Sequence, residues 1–463
     1  MTTQTLTATH PWRTFLFVSI GVFASLLDLF IVNIAFPDLQ REFAGAGLSE
    51  LSWVLNGYAI VFAALLVPAG RMVDLYGRKR GFVLGLTIFT GASLACAAAG
   101  SVETLTAARL LQGAGAAILG PASLGVVLPA FAPRSRPAVI AAWAAVGAVG
   151  AAAGPPLGGL LVQADWRWVF LVNVPLGLIS IWYAARHLPE SRDPRGGRLP
   201  DLVGTLALMA GIGALTLALV KGRAWGWTDT RTGVVFALAA AATAVAVWRS
   251  ARHPVPVLEL PILRVPSFAL AVASAMAFFA AFSALILSGV LFLTQVWGHS
   301  VLRAGLELTP GPLAALVAAA VASRLGPRIG LGTVGALGGA LVAAGIGLNA
   351  VRLGLTPDYL GTYLPGQVIG GLGVGLAMPS FTAVAVTAVG TARFSTAIGI
   401  SSMFRQVGGA LGVAAFVAIL GTPAPGDALD AFRDGWAFMV LAALTGGLLM
   451  LGTRFAPAAP LRD

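Results

Sequence analysis

Gly70-Arg71-Met72-Val73-Asp74-Leu75-Tyr76-Gly77-Arg78-Lys79-Arg80 closes one apolar run, near residues 51–70, and opens the next, near 81–100. Read physically, it is a turn at a membrane surface. Gly70 lets helices approach closely, Gly77 permits a reversal, and Asp74 can accept hydrogen bonds from basic residues or a helix N-terminus. Arg78, Lys79 and Arg80 hold the turn at the lipid boundary. The flanking runs have the length of about 20 residues that a helix needs to cross about 30 Å of hydrocarbon. Working outward, further runs lie near 15–36, 104–130, 138–162, 168–188, 202–221, 232–248, 267–296, 304–323, 331–351, 359–388, 398–421 and 435–453, fourteen in all.

With 58% hydrophobic and 10% charged residues and a mean hydropathy of +0.88, the chain is too apolar for a water-soluble globule and too periodic for disorder. The expected fold class is an all-α polytopic membrane protein with 14 transmembrane helices. Lys and Arg accumulate on the cytoplasmic side of such chains. With the N-terminus inside, 19 of the 29 fall in inner segments and eight in outer ones, which predicts that both termini are cytoplasmic. The net charge of +11 is then topology and implies membrane lipid, not nucleic acid, as its surroundings. Arg outnumbers Lys 27 to 2 in an Ala/Gly/Leu-rich chain, as in a GC-rich bacterial genome, so the expected location is a bacterial inner membrane.

Cys96 stands alone and cannot form an intrachain disulfide, and His10, His187, His253 and His299 are too scattered to ligate a metal. The first apolar run is too long for a signal-peptide core and is expected to be retained. Neither Lys79 nor Lys221 is followed by the Ser or Thr of a phosphate-binding loop, and no nucleophile-base set stands out. No enzyme activity, metal or cofactor is expected.

A repeat divides the chain. Gly113, Gly115 and Pro121 in span 4 match Gly371, Gly373 and Pro379 in span 12 at a constant offset. Gly77, Lys79 and Gly81 likewise face Gly326, Arg328 and Gly330, and Gly154, Leu157 and Gly158 face Gly408, Leu411 and Gly412. The expected organisation is a six-helix half at 1–188, a polar cytoplasmic linker at 189–201, two inserted helices at 202–249 and a second six-helix half at 250–463.

Of the 29 Lys and Arg and 18 Asp and Glu, only Asp28, Arg109 and Arg405 fall inside apolar runs and away from their ends. A charge deep in hydrocarbon costs about 2.5 to 3.5 kcal/mol even on a lenient scale, so it pairs, titrates or lines a water-filled path. At 1.5 Å per residue, Asp28 lies about 13 Å and Arg109 about 8 Å below the outer ends of spans 1 and 4, so the two can meet. Arg405 is expected to snorkel inward or to form an inner-gate contact rather than to bind substrate. Asn33, Trp53, Tyr58, Gln112, Gln295 and Gln367 are polar groups in apolar helices and candidates for lining a binding cavity. Glu307, near the outer mouth of span 10, is a candidate second acidic site or a solvent-exposed residue.

The string at 70–80 resembles the G-x-x-x-D-x-x-G-R-K-x signature of the major facilitator superfamily. Arg109-Leu110-Leu111-Gln112-Gly113-Ala114-Gly115 looks like its fourth-helix motif, in which an arginine is implicated in proton coupling. Residues Gly150 to Gly159 are similar to the antiporter motif G-x-x-x-G-P-x-x-G-G. Leu27 to Pro37 and Asp165 to Pro175 look like first- and sixth-helix strings of fourteen-span drug:proton antiporters, with Phe30 and Phe36 where that family commonly has Thr and Leu. The resemblance implies proton coupling at Asp28 and Arg109, and conformational roles for Gly70, Asp74, Gly77, Arg78, Gly154, Pro155, Gly158 and Gly159. It also implies a monomer. In the repeat alignment Ser323 replaces Asp74 and Gln367 replaces Arg109, so the charged machinery is expected in the first half alone.

The expected function is proton-coupled efflux of small hydrophobic or cationic compounds, such as drugs or antibiotics. Two alternatives stand beside it: an uncoupled or specific metabolite or lipid facilitator, and a non-transporting receptor or scaffold binding partners through the linker.

Overall fold

The computed structural model describes residues 10–192, 198–389, 394–424 and 426–456. Residues 193–197 of the expected linker, Arg393 and both chain ends lie outside the described residues. An unpaired backbone amide or carbonyl costs several kcal/mol in lipid, and a helix pairs them all within one segment. Among the described residues, fourteen helices are long and apolar enough to cross a membrane. They are span 1 (Pro11–Glu42), 2 (Leu48–Tyr76), 3 (Arg78–Ala97), 4 (Val102–Ala130), 5 (Ala138–Val162), 6 (Trp168–His187), 7 (Leu202–Trp225), 8 (Thr230–Ser250), 9 (Pro266–Val296), 10 (Val301–Ile329), 11 (Leu331–Arg352), 12 (Tyr359–Val389), 13 (Thr396–Leu420) and 14 (Ala428–Gly452). The chain is a multi-pass membrane protein, all-helical among its described residues.

Small residues set the packing, because in lipid close backbone approach supplies contact that the hydrophobic effect cannot. Equivalent glycines of the repeat do equivalent work. A methyl on Gly113 would lie 2.7 Å from the Tyr58 carbonyl of span 2, and one on Gly115 would lie 2.6 Å from the Phe89 nitrogen of span 3. Their counterparts Gly371 and Gly373 press in the same way on Gly311 of span 10 and Gly338 of span 11. Gly154 and Gly158 of span 5 pack on Phe30 and Ile34 of span 1, and Gly408 and Gly412 of span 13 pack on Met276 and Ala280 of span 9.

The face carrying residues 70–80 is called the motif face here. At the opposite face spans 5 and 10 meet backbone to backbone: Gly159 lies against Leu302, and Gly305 against the Pro155 carbonyl. Gln295 donates to Gln40 at 2.8 Å nearby. Deeper, the rings of Phe30 on span 1 and Phe282 on span 9 touch edge to face, 6.3 Å apart.

Spans 7 and 8 pack together, with Gly211 against Thr243. At the opposite face span 7 is tied to span 2 by the Lys221–Glu50 ion pair and by Ser49 Oγ donating to the Val220 carbonyl, and to span 13 by Arg223 donating to the Ile419 carbonyl at 2.8 Å. At the motif face buried Asp201 caps span 7 by accepting from Gly204 N (2.9 Å), and it pairs with Arg249 of span 8 (2.8 Å). Burial alone would raise the Asp201 pKa, but the Arg249 and Gly204 hydrogen bonds outweigh it and hold the carboxyl below its ordinary 3.8.

Two outcomes follow from these contacts. A carboxylate held below its unfolded pKa stabilises the fold above that pKa, and the contribution is lost as the pH falls through the folded value. Asp201→Asn, which can still cap the helix, is therefore expected to lower the thermal midpoint of the detergent-solubilised protein at pH 7, and the deficit should shrink only below about pH 4; an equal midpoint at pH 7 would show that the charge of Asp201 and its ion pair with Arg249 add nothing. Gly305→Ala is expected to push span 10 off span 5. In a Cys96→Ser background, spin labels at Leu160→Cys and Leu306→Cys should report a longer or broader distance distribution, and an unchanged one would show that this contact does not hold the face shut.

Candidate functional site

Asp28 of span 1 and Arg109 of span 4 meet in the interior, 0% and 1% exposed, with Arg109 Nη1 donating to Asp28 Oδ2 at 2.5 Å. Neutral side chains complete the carboxylate's coordination. Gln112 Nε2 donates to Asp28 Oδ1 at 2.9 Å, and Asn173 Nδ2 of span 6 donates to the same oxygen at 3.0 Å. Gln112 sits one helical turn from Arg109, so it can both donate to the carboxylate and accept from Arg109 Nη1 at 2.6 Å. Ser93 of span 3 accepts from Gln112 at 2.8 Å and passes its own hydrogen to the Phe89 carbonyl. Arg109 Nε donates to the Val54 carbonyl of span 2 at 2.9 Å, and the guanidinium lies 4.2 Å from the centroid of the Tyr58 ring. Cys96 is buried at the edge of this network, 3.7 Å from Gln112 Oε1.

A buried ion pair is tolerated only when hydrogen bonds satisfy its remaining lone pairs and protons. Here both carboxylate oxygens are engaged by three side chains, and the guanidinium by a carboxylate, an amide, a carbonyl and an aromatic face. Chemically this is a carboxylate that can carry one proton, beside a cation that keeps other partners when the carboxylate is neutral. Asn173 and Ser93 escape a sequence reading because nothing in the string ties them to Asp28; Asn173 is marked only by its place within the Asp165–Pro175 string.

The turn at 70–80 is built by a distant segment. Gly77 has φ +122°, and a methyl there would fall 2.6 Å from the Glu190 carboxylate. Glu190, just beyond span 6, accepts from the backbone nitrogens of Lys79 and Arg80, both at 3.1 Å, and so caps the N-terminus of span 3. Arg78 N donates to the Ser191 carbonyl at 2.9 Å. Asp74 accepts from Arg78 Nε at 3.0 Å, and Gly70 lies against Pro121 of span 4.

The candidate cavity residues separate into groups. Tyr58 and Gln112 belong to the Asp28 network, whereas Asn33 is buried and donates to the Leu29 carbonyl of its own helix. Trp53 lies at the opposite-face end of span 2, and Gln295 is held by Gln40. Gln367 donates to the Tyr363 hydroxyl at 3.3 Å. Glu307 is not solvent-exposed: it is 7% accessible. It accepts from Arg303 Nε at 2.8 Å and pairs with His299 Nδ1 at 2.8 Å, while Tyr359 donates to its main-chain carbonyl. Titratable chemistry is thus present in the second half too. Arg405 does not snorkel: its guanidinium stays at depth, bonded to Ser402 and Thr382 hydroxyls.

Comparison with known proteins agrees with this architecture. The Major Facilitator Superfamily model matches residues 18–413. The multidrug resistance protein Stp of Mycobacterium tuberculosis is 35% identical over 415 residues, spanning 88% of this chain and 75% of that protein. The probable actinorhodin transporter of Streptomyces coelicolor is 35% identical over 427 residues, with 88% and 72% covered. The tetracenomycin C resistance and export protein of Streptomyces glaucescens is 32% identical over 438 residues, with 92% and 78% covered. A crystal structure of a bacterial homologue of the human lysosomal transporter Spinster superposes with a TM-score of 0.65 at 16% identity, covering 96% of this chain and 97% of that one, a likeness of fold alone. On the family match and these relatives, the chain belongs to the Major Facilitator Superfamily.

Proposed function

We propose that the chain is a proton antiporter that exports small hydrophobic or cationic compounds, such as drugs or antibiotics, across a bacterial inner membrane. Relatives named for multidrug resistance and for antibiotic export support the efflux reading. The carrying observation for proton coupling is the buried Asp28–Arg109 pair, closed by Gln112 and Asn173. When Asp28 is reached from outside and takes a proton, the carboxylate loses its charge and its hold on Arg109. The guanidinium keeps Gln112, the Val54 carbonyl and the Tyr58 ring, so neutralisation loosens span 1 from span 4 without stranding a bare cation. Release of that proton inside restores the anion, which can hold Arg109 or a cationic substrate. Rocking of the two halves alternates access. In this reading both termini are cytoplasmic, the protein is monomeric in lipid, no cofactor takes part besides the proton, and no chemical reaction is catalysed.

In proteoliposomes, adding ethidium under an imposed pH gradient is expected to evoke proton flux with the wild type and none with Asp28→Asn. Undiminished flux in the variant would move the proton site elsewhere, and ethidium movement indifferent to the gradient would favour an uncoupled facilitator. Arg109→Gln leaves a buried carboxylate uncompensated, a loss of about 3 to 5 kcal/mol. Its thermal midpoint is expected to fall well below that of the wild type and to recover substantially in the Asp28→Asn/Arg109→Gln double variant; additive losses in the double variant would show that the two charges are not coupled.

A further inference from the structure

Arg405 is the intramembrane charge that the Asp28 network leaves unused. It lies about 14 Å from the Thr396 end of span 13 and about 22 Å from the Leu420 end, at 1.5 Å per residue. All its contacts are with neutral groups. Nη2 donates to Ser402 Oγ at 2.7 Å, Nη1 makes a long 3.4 Å contact with Thr382 Oγ1 of span 12, and Cζ lies 5.6 Å from the centroid of the Phe279 ring of span 9. A guanidinium has five N–H donors, so most of its donor capacity is unspent. The described residues give it no carboxylate, in contrast to Arg109.

A second observation stands beside it. Ser401, four residues earlier and therefore on the same helix face, is 2% exposed and its hydroxyl has no hydrogen-bond partner. Arg405 itself keeps partial exposure, unlike the sealed Asp28 and Arg109. Aromatic rings connect it to the first half: Phe279 meets Phe282 at 5.7 Å, and Phe282 meets Phe30, two residues from Asp28, at 6.3 Å. The guanidinium therefore sits at the end of an aromatic row that runs from span 9 to span 1.

A permanent cation at this depth, without a counter-charge, is the feature a membrane protein retains for a charge that arrives with a ligand. We propose that Arg405, with the hydroxyls of Ser401, Ser402 and Thr382, binds the ionised acid group of an aromatic compound whose ring body lies along Phe279, Phe282 and Phe30. A guanidinium is suited to this because its planar donor fork matches a carboxylate and its face tolerates aromatic rings. The assignment rests on the export reading and extends its substrate class from cations to aromatic acids.

Fluorescein and rhodamine 6G share a xanthene ring system but carry opposite charge, so they test this directly. Binding to the purified full-length protein is read by fluorescence anisotropy, and movement by dye flux in proteoliposomes under a pH gradient. The wild type is expected to bind fluorescein. Arg405→Gln should weaken that binding about ten-fold or more while leaving rhodamine 6G within about two-fold, as loss of a charged hydrogen-bonding partner predicts. Arg405→Lys should restore part of the fluorescein affinity, and Ser401→Ala should reduce it less than Arg405→Gln. Equal fluorescein affinity in the wild type and Arg405→Gln, binding of rhodamine 6G alone, binding of neither dye, or parallel loss of both dyes in Arg405→Gln would each overturn the assignment. Fluorescein bound through Arg405 but never moved would sink the export reading and leave the site standing; rhodamine 6G moved while fluorescein is neither bound nor moved would do the reverse.

Discussion

The Asp28–Arg109 pair can exist in an apolar interior only if its surroundings replace the water each charge has lost, and that requirement organises the first half. Span 1 supplies the carboxylate, span 4 the guanidinium and Gln112, span 2 the Val54 carbonyl and the Tyr58 ring, span 3 Ser93, and span 6 Asn173. A shift of any of these helices by an ångström would break a hydrogen bond in a medium where nothing else can replace it. Span 5 contributes none of these contacts. Its glycines face span 1 on one side and span 10 on the other, so it is placed to mediate between a block fixed by polar contacts and the rest of the protein.

Glycines that match at a constant offset share their packing, whereas the polar residues at matching positions differ. Gly113 and Gly115 have working counterparts in Gly371 and Gly373, each admitting two neighbouring helices at backbone distance. At the position of Arg109, however, stands Gln367, which needs only a tyrosine hydroxyl. The second half places its polar groups differently, in buried Glu307 with its partners His299 and the exposed Arg303 at one face and in Arg405 at depth. Close helix packing tolerates almost no change at a glycine, because an added methyl meets backbone that cannot move aside. A polar side chain can be exchanged wherever its partners are exchanged with it.

Much of this was legible in the residues. Fourteen apolar runs became fourteen helices, because the length needed to cross hydrocarbon and the need to pair every backbone group leave no other outcome. The meeting of Asp28 with Arg109 followed from depth arithmetic and the cost of isolation. Contacts made by neutral groups were not legible: Asn173 and Ser93 look like any polar residue in a helix until their neighbours are known. Glu190 was hidden for another reason, since it lies 111 residues from the backbone nitrogen it caps and nothing in a linear string ties a carboxylate to a distant turn. For Arg405 the sequence left open snorkelling or an inner-gate contact, because a flexible side chain two turns from a helix end can reach either; its partners Ser402 and Thr382 were not legible.

The 81 residues separating Asp28 from Arg109 bear on how the protein is made. Span 1 enters the membrane before span 4 has been synthesised, and at domain synthesis rates of about 5 to 20 residues per second the carboxylate waits several seconds for its cation. Asn173 comes later still, 145 residues after Asp28. During that interval the first helix lacks the partners that hold Asp28 in the finished protein, and the set is complete only when span 6 arrives. The contacts around Asp28 therefore close late in synthesis, and a ribosome stalled between spans 1 and 4 would leave in the bilayer a helix without its counter-ion.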